Sequence, residues 1–350
     1  MPPRPKNTCP RCGLHRGLMN MPERREMSGN HVAPDDQATA KPVASLQSAQ
    51  GGFAMLALDQ RESLRRMFPL VDGLEVDDDS LRRFKATATR VLSPLASAIL
   101  LDRPFAVTDA RPDSLGPSSS LILAADVLDQ PPGQGVVDTS LDPLVTPEFI
   151  GRVGAAAVKF LVIWRPDDGA EDRVRLVRSF LEVADAAGVP SLVEAIVRPA
   201  AGLEWDGPDA RHAAIFQAAR ELSTLGGTIY KAEMPGYLPG DLSRVREHSE
   251  RMTEIVPGPW VVLSNGVNQP DFAPGLREAC LGGAQGFLAG RAIWEDTVAD
   301  PDTLDALTRR SAERLRALTT IVAEALRSRG QQRTVARSLA SDVRTKEAGG

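Results

Sequence analysis

Cysteine is scarce in this chain: its 350 residues hold 3, two of them close together near the N-terminus and the third, Cys280, in an apolar run. No disulfide framework can be built from that set, so a reducing compartment, the cytoplasm, is the expectation. An excess of one charge is missing too, with 41 Lys+Arg against 46 Asp+Glu and a formal net charge of −5. Such a balance, without a basic face, argues against nucleic acid or an anionic membrane surface as the main partner. Apolar runs such as 121–125 and 158–164 fall far short of the ~20 residues a membrane helix needs, and the first fifty residues lack a secretory h-region. No Gly-x-Gly-x-x-Gly follows an early strand, so a dinucleotide fold lacks its usual sign.

The two ends differ from the middle. Residues 1–45 are rich in Pro, Arg, Asn, Asp and Met without an apolar period, and carry 7 Lys+Arg against 4 Asp+Glu. They read as a disordered N-terminal extension. Within it, Cys9-Pro-Arg-Cys12 and His15 make half of a zinc knuckle, but a zinc site needs about four ligands and no second pair follows at a fitting distance. Residues 329–350, polar and ending in Gly-Gly, read as a second disordered tail. Residues 46–328 are left as the folded unit.

That unit alternates short apolar runs with longer amphipathic stretches. The runs at 53–58, 96–101, 121–124, 157–163, 191–197, 228–232, 260–263 and 286–288 read as strands. Helices are predicted at 168–187, 209–225, 241–255 and 270–281, with Gly188, Gly226 and Gly282 as stops. Strand–helix repetition implies a parallel sheet, and eight such units over roughly 250 residues imply an α/β fold, the closed (β/α)8 TIM barrel. The weakest unit is 103–119, which has three prolines and no convincing helix. An open doubly wound sheet is the competing architecture.

A barrel of this kind places its active site at the C-terminal ends of the strands. The polar residues there are Asp59-Gln60-Arg61 after the first strand, Lys159 in the fourth, Glu194 in the fifth, Lys231 and Glu233 at the end of the sixth, and Ser264 to Gly266 with Gly290-Arg291 after the last two. Strand alternation puts Lys231 and Glu233 on one face. An inward lysine is desolvated, and a neighbouring ammonium such as that of Lys159 also disfavours its charge, both promoting a nucleophilic amine. Such an amine forms a Schiff base with a ketone, the electron sink of aldol cleavage. An internal ion pair of Lys231 with Glu233 or Glu194 accounts for the same residues equally well. Glu194 and Asp59 are candidates for proton transfer, although Asp59 also suits a helix cap. The small residues around Ser264, Gly266 and Gly290, together with Arg291, make a phosphate cradle where barrels often have one.

Several segments resemble a known family. Gly51-Gly-Phe-Ala-Met-Leu-Ala-Leu-Asp-Gln-Arg-Glu62, Leu92-Ser-Pro-Leu-Ala-Ser-Ala-Ile-Leu-Leu-Asp102, Lys159-Phe-Leu-Val-Ile-Trp-Arg165, Tyr230-Lys-Ala-Glu-Met-Pro235 and Gly286-Phe-Leu-Ala-Gly-Arg-Ala-Ile-Trp294 are similar to the class I aldolases that include tagatose 1,6-bisphosphate aldolase and sulfofructosephosphate aldolase. The similarity runs from about residue 48 to about 325. It implies a metal-independent barrel enzyme without cofactor, a homo-oligomer that cleaves a small-molecule ketose phosphate. Under it, Lys231 forms the Schiff base, Glu194 transfers protons and Asp59 and Lys159 assist. Gln60, Arg198, Glu233, Ser264, Gly266, Gly290 and Arg291 then bind substrate. Details such as the Trp164-Arg165 pair and Val197-Arg-Pro199 look more like the sulfosugar enzyme, so 6-deoxy-6-sulfofructose 1-phosphate is the expected substrate and tagatose or fructose 1,6-bisphosphate the alternative. Asn265 departs from the sulfosugar pattern. A phosphate-binding isomerase and a non-catalytic metabolite sensor are the rival classes.

Overall fold

The computed structural model describes residues 43–347 with the exception of 168. Its strands are β1 (Phe53–Leu58), β2 (Ala98–Leu101), β3 (Ser120–Ala124), β4 (Asp126–Asp129), β5 (Asp138–Leu141), β6 (Ala157–Trp164), β7 (Ser191–Val197), β8 (Ile229–Ala232), β9 (Trp260–Val262) and β10 (Gly286–Ala289). Eight of them close into a barrel in the order β1-β10-β9-β8-β7-β6-β3-β2, every neighbouring pair parallel. The chain is thus a (β/α)8 barrel, and closure removes the open-sheet alternative. β4 and β5 form an antiparallel hairpin outside the barrel.

Helices follow the strands: α1 (Glu62–Arg65), α2 (Asp78–Leu92), α3 (Pro147–Arg152), α4 (Ala170–Ala186), α5 (Gly207–Leu222), α6 (Val245–Ile255), α7 (Gln269–Leu281), α8 (Arg291–Trp294), α9 (Thr303–Ala306) and α10 (Ala312–Glu347). Local chemistry explains their starts. The Asp77 carboxylate accepts from the Ser80 amide at 2.8 Å, and Thr146 caps α3 ahead of Pro147, whose ring suits the first helical turn. Gly188 and Gly226 take positive φ of 70° and 101° where stops were expected. Gly282 keeps a helical φ of −78°. Its constraint is space, since a Cβ there would lie 2.5 Å from the Arg246 carbonyl oxygen. As expected from the prolines, 103–119 holds turns without a helix. α10 continues to Glu347 through the stretch expected to fray, and the Cys9, Cys12 and His15 segment lies outside the described residues.

Buried parallel strands explain why the apolar runs were continuous, because both strand faces are covered. β1 turns Phe53, Met55 and Ala57 inward and packs Ala54, Leu56 and Leu58 against the helical layer. The inward set fills the N-terminal half of the barrel together with Ala98, Ile122, Leu192, Ile229 and Val261. Leu46, fully buried, joins it from a short 3-10 turn at Ala44–Leu46 and plugs that end. α10 packs against α7 and α2 on the outside. Among the described residues no helix is long and apolar enough to cross a membrane.

Candidate active site

Further along four of the strands the inward positions change from apolar to charged. Asp59 follows Ala57, Lys159 follows Ala157, Glu194 follows Leu192 and Lys231 follows Ile229, each preserving the strand's inward phase. The register aligns Glu194 with Lys231 on adjacent strands. All four are buried, Lys231 at 3% exposed. Lys231 Nζ lies 2.9 Å from Glu194 Oε1, and Lys159 Nζ lies 2.9 Å from Glu194 Oε2. The Lys159 ammonium also donates to Asp59 at 2.6 Å and to Asp126 at 3.1 Å. Of the ion pairs left open for Lys231 by the sequence, the one with Glu194 forms.

Burial alone would discharge Lys159 and Asp59, but their neighbours outweigh it. Desolvation works to lower the affinity of Lys159 for its proton, yet Asp126, Asp59 and Glu194 raise its pKa well above the usual lysine value. Burial likewise pushes the Asp59 carboxyl up, while Lys159 and Lys231 pull it well below the usual carboxylate range. Lys159 is therefore a fixed ammonium and Asp59 a fixed carboxylate. Neither is arranged to exchange protons near neutrality. Glu194, with each oxygen against a different ammonium, is the carboxylate in direct contact with the Lys231 amine.

Above this layer opens a cavity of about 180 Å³. Lys231, Lys159, Glu194 and Asp59 form its floor, and Leu161, Ile196 and Leu263 contribute an apolar wall. At the β9–β10 side stand Ser264, Asn265, Gly290 and Arg291, with the Arg291 guanidinium donating to the Asn265 side-chain oxygen. A Cβ on Gly290 would sit 2.5 Å from the Ala57 carbonyl oxygen, so glycine lets the two strand ends approach there. Across the barrel, the β4–β5 hairpin packs against β6. Its loop is held by Arg66, which donates to the Gln134 carbonyl at 2.9 Å, and by Arg165, which donates to the Val137 carbonyl at 2.9 Å. Arg198 lies beside Gly135 at this rim. Burial pushes its guanidinium below the usual arginine range; Glu233 opposes the shift, and the positive charges of Arg165, Arg211 and Arg291 add to it. Two cationic ends thus flank a buried amine, and a bound anion at either would relieve the mutual repulsion.

Known proteins share this plan. Residues 53–296 match the DeoC/LacD family of aldolases.

The chain belongs to the DeoC/LacD aldolase family.

It is similar to the tagatose 1,6-diphosphate aldolase of Listeria monocytogenes serotype 4a, 29% identical over 280 residues that cover 72% of this chain and 80% of that protein. A tagatose 1,6-diphosphate aldolase 2 from Streptococcus pyogenes serotype M3 is 26% identical, covering 72% of this chain and 83% of its own. Among solved structures, an archaeal fructose 1,6-bisphosphate aldolase shares the fold with a TM-score of 0.57 at 17% identity, over 81% of this chain and 98% of that one. The present protein is accordingly an aldolase, a carbon–carbon lyase.

Within the aldolase, nine of the residues singled out in the sequence border the cavity: Asp59, Gln60, Lys159, Glu194 and Arg198, with Lys231, Ser264, Gly290 and Arg291. Glu233 and Gly266 do not. Glu233 lies past the end of β8, where its two oxygens accept from the Val197 amide at 2.8 Å and from Arg211 at 2.7 Å. This carboxylate braces the top of β7 and does not border the cavity, so the structure does not bring it together with the other residues expected to bind substrate. Gly266 is exposed with a φ of +74°, turning the chain into the α7 approach.

Other cavity residues had no sequence signal. Arg66, Gln130 and Gly135 reach the site through the hairpin and its clasp, a long-range arrangement that neither spacing nor periodicity reports. Gln60 and Gln130 each bury a side-chain oxygen without a hydrogen-bond partner among the described residues, leaving two acceptors for ligand hydroxyls. Among the described residues no group of three or more His, Cys, Asp and Glu is arranged to hold a metal ion.

Proposed function

We propose that this aldolase works through a Schiff base at Lys231 and cleaves a ketose 1,6-bisphosphate of the tagatose or fructose type, giving dihydroxyacetone phosphate and glyceraldehyde 3-phosphate. The observation that carries this reading is the Lys231 amine, buried at the cavity floor 2.9 Å from Glu194. The names of the tagatose 1,6-diphosphate aldolases to which the chain is similar favour this substrate class.

The chemistry can be followed from the geometry. Transfer of one proton from Lys231 to Glu194 leaves the pair neutral and the amine free to attack the C2 ketone. Glu194 then returns its proton to the C2 oxygen, takes one from the amine nitrogen and passes it to the new hydroxyl, which departs as water, and the iminium remains. Glu194, again a carboxylate, takes the proton of the C4 hydroxyl, the C3–C4 bonding electrons move into that iminium, and the same carboxyl group holds the proton for return to C3. The aldehyde fragment leaves, and an enamine stays on Lys231. Protonation at C3 and attack by water regenerate the amine and free dihydroxyacetone phosphate. Throughout, Lys159 fixes Glu194 and Asp59 in place, and the lasting positive charge of its ammonium opposes charge build-up on the substrate oxygens. Ser264, Gly290 and Arg291 would take the C1 phosphate, with Gln60 and the Arg66–Arg198 rim at the C6 end. Since arginine pairs with any tetrahedral oxyanion, the C6-sulfonate sugar is a second reading, favoured by the segments around Trp164 and Val197.

Borohydride reduction in the presence of dihydroxyacetone phosphate should add the mass of the reduced three-carbon adduct to Lys231 and inactivate the enzyme. An isomerase or a metabolite sensor would leave that lysine unmodified. Turnover of tagatose 1,6-bisphosphate, fructose 1,6-bisphosphate and 6-deoxy-6-sulfofructose 1-phosphate, compared by kcat/KM, then assigns the sugar. A preference for the sulfonate sugar would overturn the bisphosphate reading while leaving the Schiff base intact.

A further inference from the structure

Behind the cavity wall, one carboxylate is engaged from several sides. Asp126 opens β4 and is 1% exposed. Its Oδ2 accepts from Lys159 at 3.1 Å and from the Leu161 amide at 3.2 Å, and its Oδ1 accepts from Arg61 at 2.9 Å. The same guanidinium donates to the Asp126 backbone carbonyl at 2.7 Å. Neither Asp126 nor Arg61 borders the cavity, so neither meets a ligand held there. Both are nonetheless buried within the charged layer.

Charge balance gives this arrangement its meaning. The charged groups of the cavity floor are Asp59 on the exit of β1, Lys159 on β6, Glu194 on β7 and Lys231 on β8, two of each sign, below the guanidiniums of Arg66, Arg198 and Arg291. Next to Asp59 a second buried pair, Lys85 of α2 with Asp102, also sums to zero, the Lys85 ammonium donating to the Leu58 carbonyl at 2.8 Å. Asp126 and Arg61 form a third neutral pair. Asp126 alone would add negative charge to the layer and hold the Lys231 proton more tightly; Arg61 alone would release it. Joined, they anchor Lys159 without biasing the amine.

We propose that Asp126 and Arg61 are a positioning pair that sets the pH range in which Lys231 reacts, Asp126 fixing the Lys159 ammonium against Glu194 and Arg61 cancelling the charge this brings. The inference rests on the Schiff-base reading of Lys231. Its prediction is one of sign. Asp126→Asn removes a negative charge, so Lys231 should give up its proton at lower pH, and the acid limb of adduct formation should move down by about one unit. Arg61→Gln removes a positive charge and should move the limb up by a similar amount. The double variant should return it close to the wild-type position.

The test is the pH dependence of the borohydride-trapped adduct at Lys231, with dihydroxyacetone phosphate as the probe, in the full-length chain. Asp126→Glu and Arg61→Lys keep the charges and should leave the limb in place, so whichever neutral variant folds has a charge-conserving control. Opposite shifts that cancel in the double variant support the pair. Shifts of the same sign, or none, in variants whose unfolding midpoints match wild type would overturn it, as would a charge-conserving variant that moves the limb as far as its neutral counterpart. If wild-type Lys231 is not trapped at any pH, the Schiff-base reading fails instead, and the two failures are told apart.

Discussion

The two halves of the barrel interior are built from the same strands in the same inward phase, yet they follow opposite rules. At the N-terminal half, Phe53, Met55, Ile122, Ile229 and Val261 pack around Leu46 in a layer with no charge. Further along four of the strands, Asp59, Lys159, Glu194 and Lys231 take the inward positions and bury charges that cost free energy unless paired. The apolar half supplies stability without chemistry. The charged half holds a cluster that a hydrophobic replacement would often serve as well for folding, an arrangement that fits the proposed role of Lys231.

Variants can break that comparison from either side. The largest expected effect is Lys231→Ala, which should lower kcat/KM by about 10⁵-fold, or about 7 kcal/mol of transition-state stabilisation, while the unfolding midpoint holds or rises. A large loss of stability would mean that the charged layer is structural after all. Leu46→Ala should do the reverse, costing about 2–5 kcal/mol through the cavity it leaves, with the kcat of the folded enzyme unchanged when denaturant melts and steady-state rates are measured together.

A smaller effect separates the halves by pH. Asp59 has its pKa depressed below the ordinary 3.8, so its contribution to stability is present above that value and is lost as pH falls through it. Denaturant unfolding should therefore weaken on acidification more in wild type than in Asp59→Asn, by on the order of 2 kcal/mol. Equal slopes would show that the carboxylate is not held by its ammonium neighbours.

Much of this plan can be read from residue order because strands buried on both faces produce uninterrupted apolar runs, and a charge inside such a run, as at Lys159 or Glu194, is conspicuous. The strand edges shifted by a residue or two: 96–97 and 228 lie ahead of β2 and β8 as turns. What stayed hidden was the hairpin. β4 and β5 read Asp-Val-Leu-Asp and Asp-Thr-Ser-Leu, too polar and short to announce strands, and only their antiparallel pairing makes them one element. Asp126 was missed for that reason, although Arg61 and Lys159, its partners, were both in view. Glu233 illustrates the opposite error. Alternation placed it with Lys231, but its oxygens accept from the Val197 amide and from Arg211 on α5, contacts between elements that strand spacing does not report.

The clasp on the hairpin loop also shapes how ligands arrive. The formal net charge is −5, whereas Arg66, Arg165 and Arg198 gather near one lip of the cavity. Field lines from that lip reach into solvent by about one Debye length, roughly 8 Å at physiological ionic strength. Capture of a dianion should accordingly be fast in dilute buffer and slow as salt is added, even where the turnover of bound sugar stays the same.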